Sequence, residues 1–408
     1  MTTNHSFSKI NQLIHGRQGN KDLESRSHAF PIYQTSTFRF DTVEQGMEIF
    51  SGTTKYDAYS RISNPNHRFL EESLSVVEEG ETAQVFDSGM TAIKVALFSL
   101  LKSGDEVVAH RNLYGGTTRF LNDLHNFGIK ITFVDACQNK NIINRLTQKT
   151  KIVFLETPSN PVMDICDFER LKVTMETIGR GDILIIVDNT FASPCNQKPL
   201  TKGADISIQS LTKYINGFGN ATGGAIITSS KIMERIWERY HGSGGMMEPE
   251  VAQRIALNMI TLPDRMKRHN QNGYDIASGF LKSQPMVQKI YYPGLFDHPN
   301  YKIAERLMTG FSGIISFELN DVGGHKTKTF LNKLAQDHKD GEGIITLAVS
   351  LGCVDTLICC PALSTHYSLP REERLAQGIS DNLIRLSVGI ENVDDIIYSL
   401  KRGFRAIS

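Results

Sequence analysis

The chain has 408 residues, with 44 lysines plus arginines against 44 aspartates plus glutamates, and so a formal net charge of zero. That length allows two or three domains with large buried cores, and the balanced charge leaves no electrostatic footprint for nucleic acid. No apolar run of about 18 residues occurs, and the start "MTTNHSFSKINQLIHGRQGN" has no apolar signal core, so a soluble cytoplasmic protein with no membrane partner is expected.

Residues 1–63 are polar, with "FPIYQTSTFRF" (30–40) as one extended piece. Such an arm either clasps a neighbouring subunit or is disordered. Residues 64–262 are expected to form a large domain. Within it, β-rich runs alternate with helical stretches: "AQVF" (83–86), "EVVAH" (106–110), "ITFVD" (131–135), "KIVFLE" (151–156), "ILIIVD" (183–188), "ISIQS" (206–210) and "GAIIT" (224–228). Several runs are apolar on both faces, as strands covered by helices on both sides must be. Alternation of this kind predicts α/β architecture with a largely parallel, doubly wound sheet. From 263 to 408 the rhythm changes to helices around a few strands, "GIISFEL" (313–319) and "LIRLSV" (383–388), which reads as a smaller α+β domain.

Six cysteines are scattered and form no CxxC pair, and the 12 histidines show no metal spacing. Free thiols and no metal are expected. HExxH, GxSxG and GxxxxGK[ST] motifs are missing, and "GFGNATGG" puts three residues between Gly219 and Gly223, so it does not fit GxGxxG.

In open α/β sheets, ligands sit beyond the carboxyl ends of the strands. The first strand is followed by "DSGMTAI", where Ser88, Gly89 and Met90 open a helix. That is either an ordinary N-cap or a phosphate seat favoured by the helix dipole. Tyr114 follows the second strand beside two glycines. Asn160 lies in the "TPSNP" turn after 151–156. Asp188 closes the next strand, and Ser210, Thr212 and Lys213 follow 206–209. A lone lysine is usually a solvated surface group. One ligand, however, accounts for the whole set. Pyridoxal phosphate offers an aldehyde for Lys213, a ring nitrogen for Asp188 25 residues earlier, a ring face for Tyr114, and a phosphate for Gly89, Met90, Ser210 and Thr212.

At this point the chain resembles the Cys/Met-metabolism, or transsulfuration, family of pyridoxal-phosphate (PLP) enzymes. The resemblance rests on "PIYQTSTF" (31–38), "YSRISNPN" (59–66), "DSGMTAI" (87–93), "LYGGTTRF" (113–120), "ETPSNP" (156–161), "VDNTFASP" (187–194), "SLTKYINGFG" (210–219), "YPGL" (292–295) and "LIRLSVGIE" (383–391). It implies the type I fold of PLP-dependent transferases and a homotetramer built of catalytic dimers. It also implies that Tyr59 and Arg61 reach the phosphate of a neighbouring subunit's cofactor, with Tyr59 also near substrate. Arg385 would take the substrate α-carboxylate, with Thr356 beside it, and Asn160 would serve both cofactor and substrate. Lys213 would move the α-proton, and Tyr114 would act as acid and base near the departing group.

The motifs look closest to the methionine and cystathionine γ-lyases. The expected reaction is therefore γ-elimination, giving 2-oxobutyrate, ammonia and a thiol. The alternatives are γ-replacement on an O-acylhomoserine and a non-catalytic protein that keeps the fold. Gly116 stands where methionine γ-lyases usually have a cysteine, and Phe218 where many relatives have a histidine. Asp355 falls where cystathionine-using relatives carry an acid, and is also read as a helix-start aspartate.

Overall fold

Seven strands form the larger sheet: β1 (Thr82–Phe86), β2 (Glu106–His110), β3 (Lys130–Val134), β4 (Thr150–Glu156), β5 (Leu184–Asp188), β6 (Ile206–Gln209) and β7 (Gly224–Thr228). Their spatial order is β1-β7-β6-β5-β4-β2-β3. Pairing from β6 through β5, β4 and β2 to β3 is parallel, and only β7 runs against its neighbours. The computed structural model describes residues 8–15, 27–51, 54, 56–240, 243–321, 323–367 and 369–408. Parts of the arm (1–7 and 16–26) and the first two residues of the glycine-rich "HGSGGMMEP" stretch (241–249) lie outside the described residues.

The central strands are continuous apolar runs because both faces are covered. Along β2, Val107 and Ala109 enter one core with Ile93, Leu97 and Phe120, while Val108 enters the opposite core with Phe168 and Leu171. Each β-residue thus alternates between two helix layers, as period-2 side chains require. At their carboxyl ends, two of these strands leave the sandwich on an acid. β4 ends on Glu156 and β5 on Asp188, and the two are register partners.

A second sheet has five strands, β8 (Val287–Tyr291), β9 (Ile314–Leu319), β10 (Thr346–Leu347), β11 (Leu357–Cys359) and β12 (Leu383–Ser387), in the order β10-β11-β12-β9-β8. The helices His325–Lys339 and Val393–Arg405 contribute Phe330, Leu334, Ile396, Leu400 and Phe404 to its core. Arg402 and Lys333 both pair with Asp337, which holds that carboxyl down to about 2. Strand β8 escapes sequence patterning because it is a half-exposed edge reading "VQKIY", and β10 and β11 are too short to show a period. Asp355 lies exposed in a bend before β11, so no helix starts there.

The N-terminal segment is tied to its own chain. Phe30 stacks on Phe69 with centroids 4.6 Å apart, and Asn66 Nδ2 and Gln253 Nε2 donate to the carbonyls of Pro31 and Phe30, each at 2.8 Å. Among the described residues no helix is long and apolar enough to cross a membrane.

Candidate active site

A cleft of about 330 Å³ opens beyond the carboxyl ends of the parallel strands and is closed from the other side by the β11–β12 region. Its lining includes nine of the residues singled out from sequence: Gly89, Met90, Tyr114, Asn160, Asp188, Ser210, Thr212, Lys213 and Arg385. The two sheets therefore converge on one site.

Each group is fixed by local structure. Ser88 is extended and caps the helix Gly89–Leu100, its hydroxyl accepting from Thr91 N; Gly89 and Met90, whose N–H groups find no partner among the described residues, line the cleft. A Cβ on Gly89 would come 3.0 Å from Ser210 Cβ, so the two strand ends meet around this seat. Thr212 Oγ1 accepts from Gly223 N at 3.0 Å, which ties the lysine turn to the start of β7. Gly217 has φ +77°, and a Cβ there would strike the Arg265 guanidinium at 2.1 Å. Arg265 needs that space, because it donates to the carbonyls of Tyr214 (2.6 Å) and Ile215 (3.0 Å) and so holds the turn that follows Lys213.

Lys213 Nζ donates to Ser350 Oγ at 2.8 Å. Burial, helped by the Arg385 charge, lowers its ammonium from the usual lysine range to about 8. Asp188 is buried, and its Oδ1 accepts from Thr190 Oγ1 (2.6 Å) and Thr190 N (3.1 Å). Burial raises its pKa despite those bonds. Its Oδ2 makes no hydrogen bond among the described residues and remains for a ligand N–H. Arg385 donates through one Nη to Asn160 Oδ1 (3.0 Å) and through the other to Ser350 O (2.9 Å), which aims a planar cation into the cleft. Tyr114, half exposed, is the N-cap of the helix Gly115–Asp123.

Three residues that matter here were not singled out from sequence. Glu156 accepts from Tyr114 N (2.7 Å) and Asn160 N (2.9 Å), and burial plus the nearby Asp188 charge push its carboxyl well up. Its signal was present, since β4 and β5 both end an apolar run on a single acid. Thr190 orients Asp188 and also accepts from Ser210 N at 2.9 Å. Ser350 has no local sequence signal, because it reaches Lys213 from 137 residues away.

Thr356 lies elsewhere. It is fully buried away from the cleft lining, its hydroxyl donates to Glu391 Oε2 (2.9 Å), and it accepts from Gly389 N (2.9 Å). Both roles of the hydroxyl are therefore committed to the β12 exit loop, and none is left for a substrate carboxylate. Tyr59 and Arg61 also lie outside this cleft. Arg61 stacks over the Tyr59 ring at 5.4 Å and lines a different groove of about 360 Å³ with Gln34, Ser36 and Met247.

The donor set fits pyridoxal phosphate. A desolvated amine, an acid with one oxygen unspent, and a helix N-terminus flanked by Ser210 and Thr212 lie in one cleft. Comparison with known proteins agrees. The model of the family described as "Cys/Met metabolism PLP-dependent enzyme" matches residues 11–405, and the chain belongs to that family. Its cofactor is pyridoxal 5'-phosphate. The chain is 43% identical over 385 residues to an L-methionine gamma-lyase of Fusobacterium nucleatum subsp. polymorphum, covering 93% of this chain and 94% of that protein. It is 38% identical to a cystathionine gamma-lyase of Bacillus subtilis, over 98% of this chain and all of that one. The crystal structure of cystathionine gamma-lyase from Lactobacillus plantarum complexed with L-serine superposes with a TM-score of 0.89 at 38% identity, covering 98% of this chain and 99% of that one.

Proposed function

We propose that the protein carries out γ-elimination on a sulfur-containing L-amino acid. Water is consumed, the Cγ–S bond breaks, and 2-oxobutyrate, ammonia and a thiol leave. The observation that carries this reading is the convergence of Lys213, Asp188, Tyr114 and Arg385 in one cleft beyond the strand ends.

In this reading each residue has one task. Arg385, braced by Asn160 and Ser350, receives the α-carboxylate in a bidentate pair. Lys213 takes the α-proton, because an amine lowered to about 8 holds and releases a proton near neutral pH. Asp188 would hold the cofactor's ring nitrogen through the oxygen that Thr190 leaves unused, and the cofactor would supply an electron sink at the α-carbon. Tyr114, half exposed in the cleft lining, delivers a proton to the departing sulfur.

A homo-oligomer of catalytic dimers, assembled as a tetramer in the cytoplasm, belongs to the same reading. Val43, Met47 and Phe50 form an exposed apolar stripe at helical spacing on Val43–Phe50, which supports an arm that packs on a second copy. In that assembly Tyr59 and Arg61 complete a neighbour's phosphate site. Arg61→Ala is expected to speed cofactor loss from the oligomer, and an unaltered loss rate refutes that arrangement.

The deciding experiment offers methionine, cystathionine, homocysteine and O-acetylhomoserine to the cofactor-loaded protein, with and without added thiol. The expected result is 2-oxobutyrate from a thioether with no thiol added. Product formation only from O-acetylhomoserine plus thiol makes the enzyme a γ-replacement catalyst and overturns the proposal.

A further inference from the structure

His110, Cys137 and Cys166 come from three separate stretches of chain, and no spacing in the sequence joins them. In the folded chain one ligand atom from each lies within 4.8 Å of the other two. His110 ends β2, Cys137 lies in the turn after β3, and Cys166 lies in the extended segment that follows the Asn160 turn. They sit apart from the cofactor cleft, whose lining includes none of them.

The three are held in place. The His110 ring is fully buried, Nδ1 accepts from Ala136 N at 3.1 Å, and Nε2 lies 3.3 Å from Asp164 Oδ2. Because Nδ1 accepts, the hydrogen is on Nε2, which lies beside Asp164 without closing a hydrogen bond to it. An imidazole with its N–H beside a carboxylate has the arrangement in which an acid fixes the tautomer of a metal-bound histidine, and the Nδ1 lone pair is held by Ala136 N–H until an ion takes it. Asn112 Nδ2 donates to the same Asp164 oxygen at 2.6 Å and holds the acid in turn. Cys137 is anchored by its N–H to Asp135 Oδ1 (3.2 Å) and Cys166 by its N–H to Thr157 Oγ1 (3.0 Å). Both thiols are free, and Cys137 is partly exposed, so an ion reaches the cluster from solvent.

We propose that His110, Cys137 and Cys166 form a binding site for a thiophilic divalent cation of the zinc type, distinct from the cofactor site. Two thiolates and one imidazole are the ligand set that such an ion prefers. Thiolates on one tetrahedral zinc lie about 3.8 Å apart, so closure from the observed spacing needs side-chain shifts of about an ångström. On binding, each thiol releases a proton to solvent, the Nδ1 lone pair replaces its bond to Ala136 N–H, and water takes the fourth position. No electron is transferred, so no oxidant or reductant is required.

The test uses the reduced holoenzyme. Zinc is added from a chelator-buffered solution, weakly held ion is removed by desalting, and metal per chain is measured. Cobalt is then used as the optical probe. The expected result is about one zinc per chain and a thiolate-to-cobalt charge-transfer band, both lost in Cys137→Ser and retained in Cys195→Ser, a cysteine outside the cluster. Asp164→Asn is expected to weaken retention by about 10- to 100-fold, as loss of an orienting carboxylate does. Zinc content that is absent from the wild type, or equal in wild type and Cys137→Ser, overturns the site. So does a protein in which these cysteines bind no metal once reduced and instead pair as a disulfide.

Discussion

Glu156 stands directly opposite Asp188 in the β4–β5 ladder, so two buried acids lie side by side at the floor of the cleft. They cannot both ionise cheaply there. Burial and the Asp188 charge push Glu156 well up, the direction that favours leaving the pair's negative charge on Asp188 for a ring nitrogen. Glu156 also accepts the main-chain N–H groups of Tyr114 and Asn160, which positions a residue at the leaving group and a brace of Arg385. Glu156→Gln offers one oxygen where two are used and leaves a buried N–H unpaired, at a cost of about 1–3 kcal/mol. If that cost falls on the transition state, kcat/KM drops by between about 5-fold and about 150-fold. Cofactor content is expected to stay whole. Steady-state kinetics with a cofactor titration checks this, and loss of cofactor with unchanged kcat per loaded site contradicts it.

The Lys213 amine can attack the cofactor aldehyde only when unprotonated. Its proton leaves around pH 8 rather than near the usual 10.4, because burial and Arg385 disfavour the charged form. Reconstitution of cofactor-free protein is therefore expected to rise about 5-fold between pH 7 and pH 8, then level off above about pH 9. Stopped-flow absorbance during cofactor addition reads this directly. A midpoint near 10 would show that the amine is solvated. Lys213→Ala should lose both the long-wavelength band and turnover.

Much of this site is legible in the sequence because its parts are short-range. A strand that is apolar on both faces and then stops on a charged or hydroxyl residue marks a carboxyl end, and Asp188, Ser210, Thr212 and Lys213 are all marked that way. The same rule applies to Glu156, whose strand "KIVFLE" ends as "ILIIVD" does. Other elements depend on tertiary contacts. Ser350 meets Lys213, and Arg385 meets Asn160, only because the second sheet folds back over the first. Thr356 shows the opposite case. A residue can sit at the matching motif position and still turn its hydroxyl toward a neighbouring loop. The His110, Cys137 and Cys166 cluster has no sequence signature because its members are brought together by the parallel order of β2, β3 and β4.

Gly116 makes room for the ring of Tyr114. A Cβ there would lie 2.6 Å from Tyr114 Cε1 and 3.3 Å from Met90 Sδ. Half exposed, the Tyr114 ring is free to swing away, so Gly116→Ala is expected to move the ring rather than unfold the helix. A misplacement of about 1 Å at a catalytic group costs up to about 100-fold in rate. We expect kcat to fall by about 10-fold or more with the thermal midpoint nearly unchanged. Gly116→Cys places a larger group in the same space and should do the same or more. Unchanged kcat in both variants would separate Tyr114 from the proton step.

Thr356→Val tests the placement of that residue. The swap keeps shape and removes the hydroxyl, so Gly389 N–H loses its acceptor and Glu391 loses one of its donors. Leaving a buried N–H unpaired costs about 1–3 kcal/mol. At about 2.1 cal/mol/K of unfolding entropy per residue, a chain of 408 residues loses about 1 °C of melting midpoint per kcal/mol. Because the hydroxyl faces the loop after β12 and not the cleft, KM for the amino acid is expected to hold. Thermal melts and initial-rate kinetics on the same preparation give both numbers. An unchanged melt with a KM raised 10-fold or more would mean that Thr356 turns into the cleft when substrate arrives. A lowered melt with constant KM places the residue in the scaffold that holds β12, and with it Arg385, in register.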